Sequence, residues 1–289
     1  MEQQNENTLN IKVSTGSLLK YAMPTILSSI FMNIYSIVDQ LFVSNLLGTD
    51  ALSAVSIAGP FLAIALAIGT MIATGGCALV SNQMGEGRNE KARQNFSFFM
   101  LFSVTISTIF CVAGILFRTP ILHVMGADQG LYRLCEAYAV PIFLAIPFAM
   151  VSIVLQIFFV AAGKPGLGFG LSIAGGITNI ALDYVLIAVV PMGVAGAAYA
   201  TAAGYILQSI IGVLFFFVNR KGTLYFVRPK FDGKALLKAC SNGMSEMVGM
   251  LTITVTMIAM NVILMKLTGS DGVAAAAIIL SAQTILSAS

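Results

Sequence analysis

The chain has 289 residues, 58% of them hydrophobic and 9% charged, with a formal net charge of +3 and a mean hydropathy of +0.92. Soluble globular chains carry about 25% charged residues, so a surface facing water throughout is excluded and an all-α integral membrane protein is predicted. The basic residues cap apolar runs instead of forming a stripe with interleaved aromatics, which argues against a nucleic-acid partner.

Residues 1–17 are polar and form a predicted amino-terminal segment. An apolar run follows directly from Leu18, without the short apolar core and small-residue cleavage site of a signal peptide. Crossing roughly 30 Å of hydrocarbon takes about 20 apolar residues. Such runs occupy 18–44, 51–81, 96–117, 131–161, 168–190, 194–218 and 241–267, and an eighth begins near Gly272. The connections "LLGTD", "GEGRNE", "AAGKPG", "PMG" and "LTGSDG" are short and turn-rich. The cysteines Cys77, Cys111, Cys135 and Cys240 have neither disulfide nor zinc spacing and read as small apolar filler.

Sidedness follows from the cations. Lys12, Lys20, Arg88, Lys91, Arg93, Lys164, Arg220, Lys221, Arg228, Lys230, Lys234 and Lys238 fall on one side, twelve of the 15. Arg118, Arg133 and Lys266 fall on the other. The positive-inside bias predicts a multi-pass protein of the plasma membrane with its amino terminus in the cytoplasm.

A basic stretch, "NRKGTLYFVRPKFDGKALLK", divides the chain, and the segments after it echo the start. "LLKYAMPTILSSIFMNIYSI" is answered by "LLKACSNGMSEMVGMLTITV", and "LLGTDALSAVSI" by "KLTGSDGVAAAAII". Transporters are often built from such repeats. The expected organisation is a polar cytoplasmic segment (1–17), a six-helix amino-terminal lobe (18–218), a basic inter-lobe loop (219–240) and the first one or two helices of a pseudo-symmetric second lobe (241–289). A parent of about twelve spans is predicted, with an eight-span protein as the alternative.

Few ionisable or amide groups lie deep in the spans. The first carries Asn33, Tyr35 and Asp39, and the fifth carries Asn179 and Asp183. Tyr35 and Asp39 are four apart, as are Asn179 and Asp183, so each pair shares a helix face. The fourth span offers Tyr138 and Gln156, the sixth Thr201 and Gln208, and the seventh Glu246. A carboxylate at the centre of a membrane helix costs roughly 2.5–3.5 kcal/mol on insertion scales, and such groups face a bundle interior or a water-filled cavity. If Asp39 and Asp183 approach each other they should share a proton or hold a cation. The competing reading is that each acid only hydrogen-bonds a neighbouring helix. Pro24, early in the first span, removes the hydrogen bond to the Lys20 carbonyl and permits a bend.

Enzymatic chemistry finds no support. His123, the single histidine, sits in a loop, away from any serine–histidine pair in a span. Asp183 lacks the Gly-x-Gly-Asp setting of intramembrane aspartyl hydrolases, and no Gly-x4-Gly-Lys-Ser/Thr loop occurs. Neither a catalytic residue nor a cofactor is expected.

The motifs "AMPTILSSIFMNIYSIVDQLFVSNLLGTDALSAVSI", "NQMGEGRNEKA", "FFVAAGKPGLGFGLSIAGGITNIALDYVLI" and "GVAGAAYATAAGYI", in this order, resemble those of the multidrug and toxic compound extrusion (MATE) transporters. The resemblance implies two six-helix lobes in an inverted V, related by a pseudo-two-fold axis around a central cleft. It implies antiport of amphipathic, usually cationic, compounds against protons or sodium ions. By the same resemblance the coupling cluster comprises Asp39, Asp183, Tyr35, Asn179 and Thr201, with Glu246 as a second-lobe coupling residue and Pro24 as the bending point of the first helix. Two alternatives remain: a lipid-linked glycan flippase of related fold, and a membrane receptor or structural protein without transport.

Overall fold

A computed structural model describes residues 15–220 and 222–288. The predicted polar segment up to Ser14, Lys221, and the side chains of Lys20 and Asn33 lie outside them. The described chain is all-helical. In order it forms α1 (Thr15–Leu47), α2 (Thr49–Gly85), α3 (Asn89–Leu116), a short α4 (Arg118–Val124), α5 (Tyr132–Ala161), α6 (Pro165–Asp183), α7 (Val194–Val218), α8 (Gly233–Thr268) and α9 (Ser270–Ala288). A single π-helical turn, Tyr184–Val189, extends α6. Six of these helices are long and apolar enough to cross a bilayer, and α1 and α9 contribute shorter apolar stretches over 34–47 and 270–280. The chain is a multi-pass membrane protein.

The repeat seen in the sequence has a backbone counterpart. One glycine separates α1 from α2, and one separates α8 from α9. Gly48 sits at φ 88°, ψ −179° and Gly269 at φ 70°, ψ −155°. This corner of conformational space is open essentially to glycine alone, which is why both "LGTD" and "TGSD" carry one.

Helix α2 is the hub of the bundle and packs against α3, α5, α8 and α9. Its run of small residues, including Ala54, Ala58, Ala65, Gly69, Ala73 and Gly76, is buried. In lipid, where apolar burial provides no drive between helices, small residues promote association by letting backbones approach and pack. The approach of α2 to α8 is the closest of this kind. A Cβ at Gly75 would overlap the carbonyl oxygen of Ala239, and one at Gly243 would overlap that of Met71. Towards the other end of the same interface, Asn261 donates from Nδ2 to the Ser56 carbonyl (2.9 Å) and accepts from Ser56 Oγ (3.3 Å). Ser53 Oγ donates to the Ser270 carbonyl at 2.6 Å. The two repeat halves are thus clasped at both ends of α2.

The basic stretch is shorter as a loop than its composition suggests. Helix α8 begins at Gly233, not Ser241, because Asp232 caps it by accepting a hydrogen bond from the Ala235 N–H at 3.0 Å. The remaining connection is fastened to the first lobe. Leu224 is buried, Phe226 stacks on Phe96 with ring centroids 5.0 Å apart, and the Val227 N–H donates to Ser97 Oγ. Arg93 lies over the Tyr225 ring at 4.2 Å and donates from Nε to the Thr223 carbonyl. Helix α1 has Ile26, Leu27, Ile30 and Ile34 exposed. It continues through Pro24, whose carbonyl accepts from Ser28 Oγ at 2.8 Å.

Overpacking a tight interface costs about 1–3 kcal/mol. Gly243→Ala should therefore lower the thermal midpoint of the detergent-purified chain. Gly249→Ala, on the same helix with no atom within 4 Å of the added carbon, should leave it unchanged or slightly raised. Equal midpoints for the two variants would refute the close α2–α8 approach.

Candidate functional site

The polar residues of the first, fifth and sixth spans converge, and glycines make this possible. At Gly176 of α6 a Cβ would stand 2.6 Å from Phe31 Cε1 and 3.2 Å from Tyr35 Cδ1 of α1. At Gly204 of α7 it would meet the Gly175 carbonyl oxygen at 3.0 Å. Bare backbone at these positions lets α1, α6 and α7 close on one another, so that side chains one turn further on meet.

What meets is a pair of acids. The Asp39 and Asp183 carboxyl groups interact directly. Asp183 is fully buried at the last α-helical residue of α6, and Asn179, one turn earlier, is 2% exposed. Asn179 Nδ2 donates to Thr201 Oγ1 of α7 at 3.2 Å. Among the described residues, no donor reaches Asp39 Oδ1, Asn179 Oδ1 or either oxygen of Asp183. Four buried acceptor oxygens without a donor are an anomaly, since leaving such a group unpaired costs about 1–3 kcal/mol, and more for a charged one.

Asp39 opens onto a cavity of about 600 Å³ bounded by α1, α2, α5, α7, α8 and α9. Tyr35, Ser36, Gln40, Tyr138, Thr201 and Tyr205 give it one polar wall. Leu52, Val55, Leu62, Ile253 and Met257 give it an apolar one, with Thr252 and Thr256 of α8 beside them. Among the described residues, no lysine or arginine lines it. Asp183 lies behind Asp39 and is not part of the lining; a much smaller void lined by Tyr35, Asn179, Thr201 and Tyr205 adjoins it. The tyrosine hydroxyls of Tyr35, Tyr138 and Tyr205 are all near enough to Asp39 to feel its charge.

Below this cluster, Gln156 of α5 donates to Ser172 Oγ (2.7 Å) and to Gln208 Oε1 (3.2 Å), joining α5, α6 and α7 through buried polar groups that satisfy one another. The contrast with the unpartnered oxygens above is informative. The chain can supply donors to buried acceptors and does so one layer away.

Tyr35, Asp39, Asn179, Asp183 and Thr201 come together. Glu246 is on an exposed face of α8 and does not line the cavity, to which α8 instead presents Thr252 and Thr256. Pro24 lies in α1 some four turns before Asp39. Tyr205 and Ser172 escaped sequence reasoning. Tyr205 had a signal, because it follows Thr201 by four residues, as Asp39 follows Tyr35 and Asp183 follows Asn179. The π-helical turn directly after Asp183 had none; single π turns inside α-helices occur frequently at functional sites. Among the described residues, no group of three or more His, Cys, Asp or Glu side chains could hold a metal ion. A sodium ion here would rest on the two aspartates plus neutral oxygens, a donor set of the hard, oxygen-only type that such a cation takes.

A bundle of this order with a polar cluster inside one lobe defines a class of membrane transport folds, and comparison with known proteins specifies it. The MatE family model matches residues 24–185. The chain belongs to the MatE family. "Multidrug export protein MepA" of Staphylococcus saprophyticus is 26% identical over 217 residues, covering 73% of this chain and 48% of that protein. "Probable multidrug resistance protein YoeA" of Bacillus subtilis is 26% identical over 274 residues, covering 90% of this chain and 58% of that one. The chain therefore spans about half the length of the curated relatives it matches. Among solved structures, a ligand complex of the MATE multidrug transporter DinF-BH superposes with a TM-score of 0.92 at 22% identity, over 100% of this chain and 65% of that one. The inward-facing conformation of a MATE family transporter gives 0.77 at 18% identity, over 97% and 62%. The fold is that of MATE transporters.

Replacing Asp183 by asparagine keeps the shape, removes one ionisable group of the facing pair and brings an amide donor to Asp39. Asp183→Asn should therefore raise the thermal midpoint of the purified chain, the stability gain expected when a strained functional group is relaxed. A lower midpoint would mean that the carboxylate has a partner the geometry does not reveal.

Proposed function

We propose that this chain is the amino-terminal lobe and the start of the second lobe of a secondary antiporter that exports amphipathic cations in exchange for protons or sodium ions. The observation that carries the reading is the cluster of four buried oxygens without donors, beside a cavity with one apolar and one polar wall. The names of its relatives, multidrug export and multidrug resistance proteins, point the same way, and none of those named is an enzyme.

In this mechanism a proton or sodium ion enters through the cavity, reaches Asp39 and is held between Asp39 and Asp183. Tyr35, Thr201 and the Asn179 carbonyl oxygen supply neutral partners. While the pair is unoccupied, its negative charge attracts a cationic, amphipathic compound to the cavity, whose apolar wall takes the compound's hydrophobic body. Filling the pair cancels that attraction and releases the cargo. Helix α1, which carries Pro24, bends in response, and the π turn after Asp183 gives α6 a place to readjust. Each elementary charge moved inward contributes about 2.3 kcal/mol per 100 mV of membrane potential. With the basic end in the cytoplasm of the cell that makes the protein, ion entry drives export.

The absence of lysine and arginine from the cavity wall disfavours the lipid-linked glycan flippase, whose pyrophosphate cargo requires cations. A receptor or structural role would leave the acids as interhelical glue, and a thermal-shift titration separates the two. Antiport predicts a saturable rise in midpoint with sodium, or one with falling pH, that disappears in the Asp39→Asn/Asp183→Asn double variant. Glue predicts no saturable response. In cells, the same two substitutions made singly in the full-length parent should each reduce ion-driven efflux of a cationic dye at least tenfold. Wild-type efflux in both would remove the coupling role from this pair.

A further inference from the structure

At the basic end, the loop between α2 and α3 faces the connection into α8 across two contiguous clefts of about 670 and 290 Å³, both bordered by Arg88, Lys91 and Asp232. The clefts are also lined by Lys230 on one side and by Lys234 and Lys238 on the other. Their acids are already engaged. Glu86 pairs with Arg88, Glu90 accepts from Gln94 Nε2 at 3.2 Å, and Asp232 caps α8 while pairing with Lys91 at 3.8 Å. Among the described residues no acid pairs with Lys230, Lys234 or Lys238. Lys234 and Lys238 are one turn apart, on one face of the first two turns of α8. Five cations thus face three acids in the lining, and the three lysines without an acid partner leave this concave surface, where the chain leaves the bilayer, net positive.

Two large apolar side chains stand beside them with nothing covering them. Phe231, 80% exposed, touches the bundle only edge-on at Phe98 (5.3 Å between centroids), and Leu237 is 74% exposed. A soluble anion would use the lysines and leave Phe231 and Leu237 in water. A ligand with an anionic head and hydrocarbon chains satisfies both. We infer that this double cleft is a binding site for an anionic phospholipid, its head group set among Lys230, Lys234 and Lys238 and its acyl chains lying against Phe231 and Leu237. Basic pockets between membrane helices bind lipid head groups in this way. The bound lipid spans parts of both lobes, since the cleft is walled by the α2–α3 loop of the first and by the start of α8 in the second, so it fastens the basic end of the molecule. The inference is independent of what is transported.

The test uses the 289-residue chain in neutral detergent, titrated with dioleoylphosphatidylglycerol, dioleoylphosphatidylcholine or inorganic phosphate at matched phosphate concentration. Thermal midpoint and lipid retention in native mass spectrometry are the two readouts. Phosphatidylglycerol should raise the midpoint by several degrees and remain bound, and the other two should not. Lys230→Gln/Lys234→Gln/Lys238→Gln should weaken the phosphatidylglycerol response roughly tenfold or more, since each cation near a lipid surface contributes severalfold in affinity. Arg133→Gln/Lys266→Gln, which removes charge from the opposite face, should not. Phe231→Ser/Leu237→Ser should weaken retention with all three lysines intact. An equal response to phosphatidylcholine overturns the head-group site, and an equal response to inorganic phosphate replaces the lipid by a soluble anion. Undiminished binding by the lysine variant overturns the inference; should that variant aggregate, the three single substitutions decide, each being expected to weaken binding severalfold.

Discussion

Two carboxyl groups brought face to face, Asp183 fully buried with both oxygens lacking a donor among the described residues and Asp39 at the edge of the cavity, are the constraint around which this lobe is built. In a low-dielectric interior like charges at contact repel strongly, and desolvation penalises each further. A protein that needed only interhelical glue would place a serine or an amide opposite each acid, as this chain does for Gln156, Ser172 and Gln208 one layer away. Here the acceptors Asp39 Oδ1, Asn179 Oδ1 and both oxygens of Asp183 remain without donors. The supporting architecture holds them there. Gly176 brings α6 onto α1, Gly175 and Gly204 bring α6 onto α7, and the helix changes to a π turn at the residue after Asp183.

The same use of bare backbone organises the contact between the repeat halves. Gly75 and Gly243 let α2 and α8 touch main chain to main chain at the basic end, while Ser53, Ser56 and Asn261 join the halves by hydrogen bonds at the other. Between these contacts the helices part to leave the cavity onto which Asp39 opens. The connection through 219–232 adds a third fastening, because its aromatic residues pack on α3 and α7 instead of trailing from them. Its lysines and arginines read in the sequence as a basic inter-lobe loop. Leu224 and Phe226, spaced two apart within it, were the signal of a strand-like segment pressed on the bundle, and the charges around them obscured it.

How much of the site was legible depended on the helical period. Four-residue spacing put Tyr35 with Asp39 and Asn179 with Asp183 on common faces, and the scarcity of polar groups in apolar runs singled these residues out. The same spacing placed Tyr205 behind Thr201, but a tyrosine in a membrane helix is too common to stand out. Glu246, expected as a coupling residue of the second lobe and not of this cluster, is exposed on α8 and outside the lining of this cavity. Periodicity states which residues share a face, not which neighbour that face meets.

Sequence alone was enough to establish the membrane class and the family resemblance, because these depend on local quantities: apolar length, turn chemistry and residue order. Glycine at positions 48 and 269 was readable for the same reason, since a positive-φ turn is a property of one residue. Only the tertiary structure decided that Asp39 and Asp183 face each other, that Asp183 stands behind Asp39 instead of on the cavity wall, and that Glu246 stays apart. Those outcomes rest on how closely α1, α6 and α7 approach. That distance is set by glycines far apart in the chain acting together, and no local pattern encodes it.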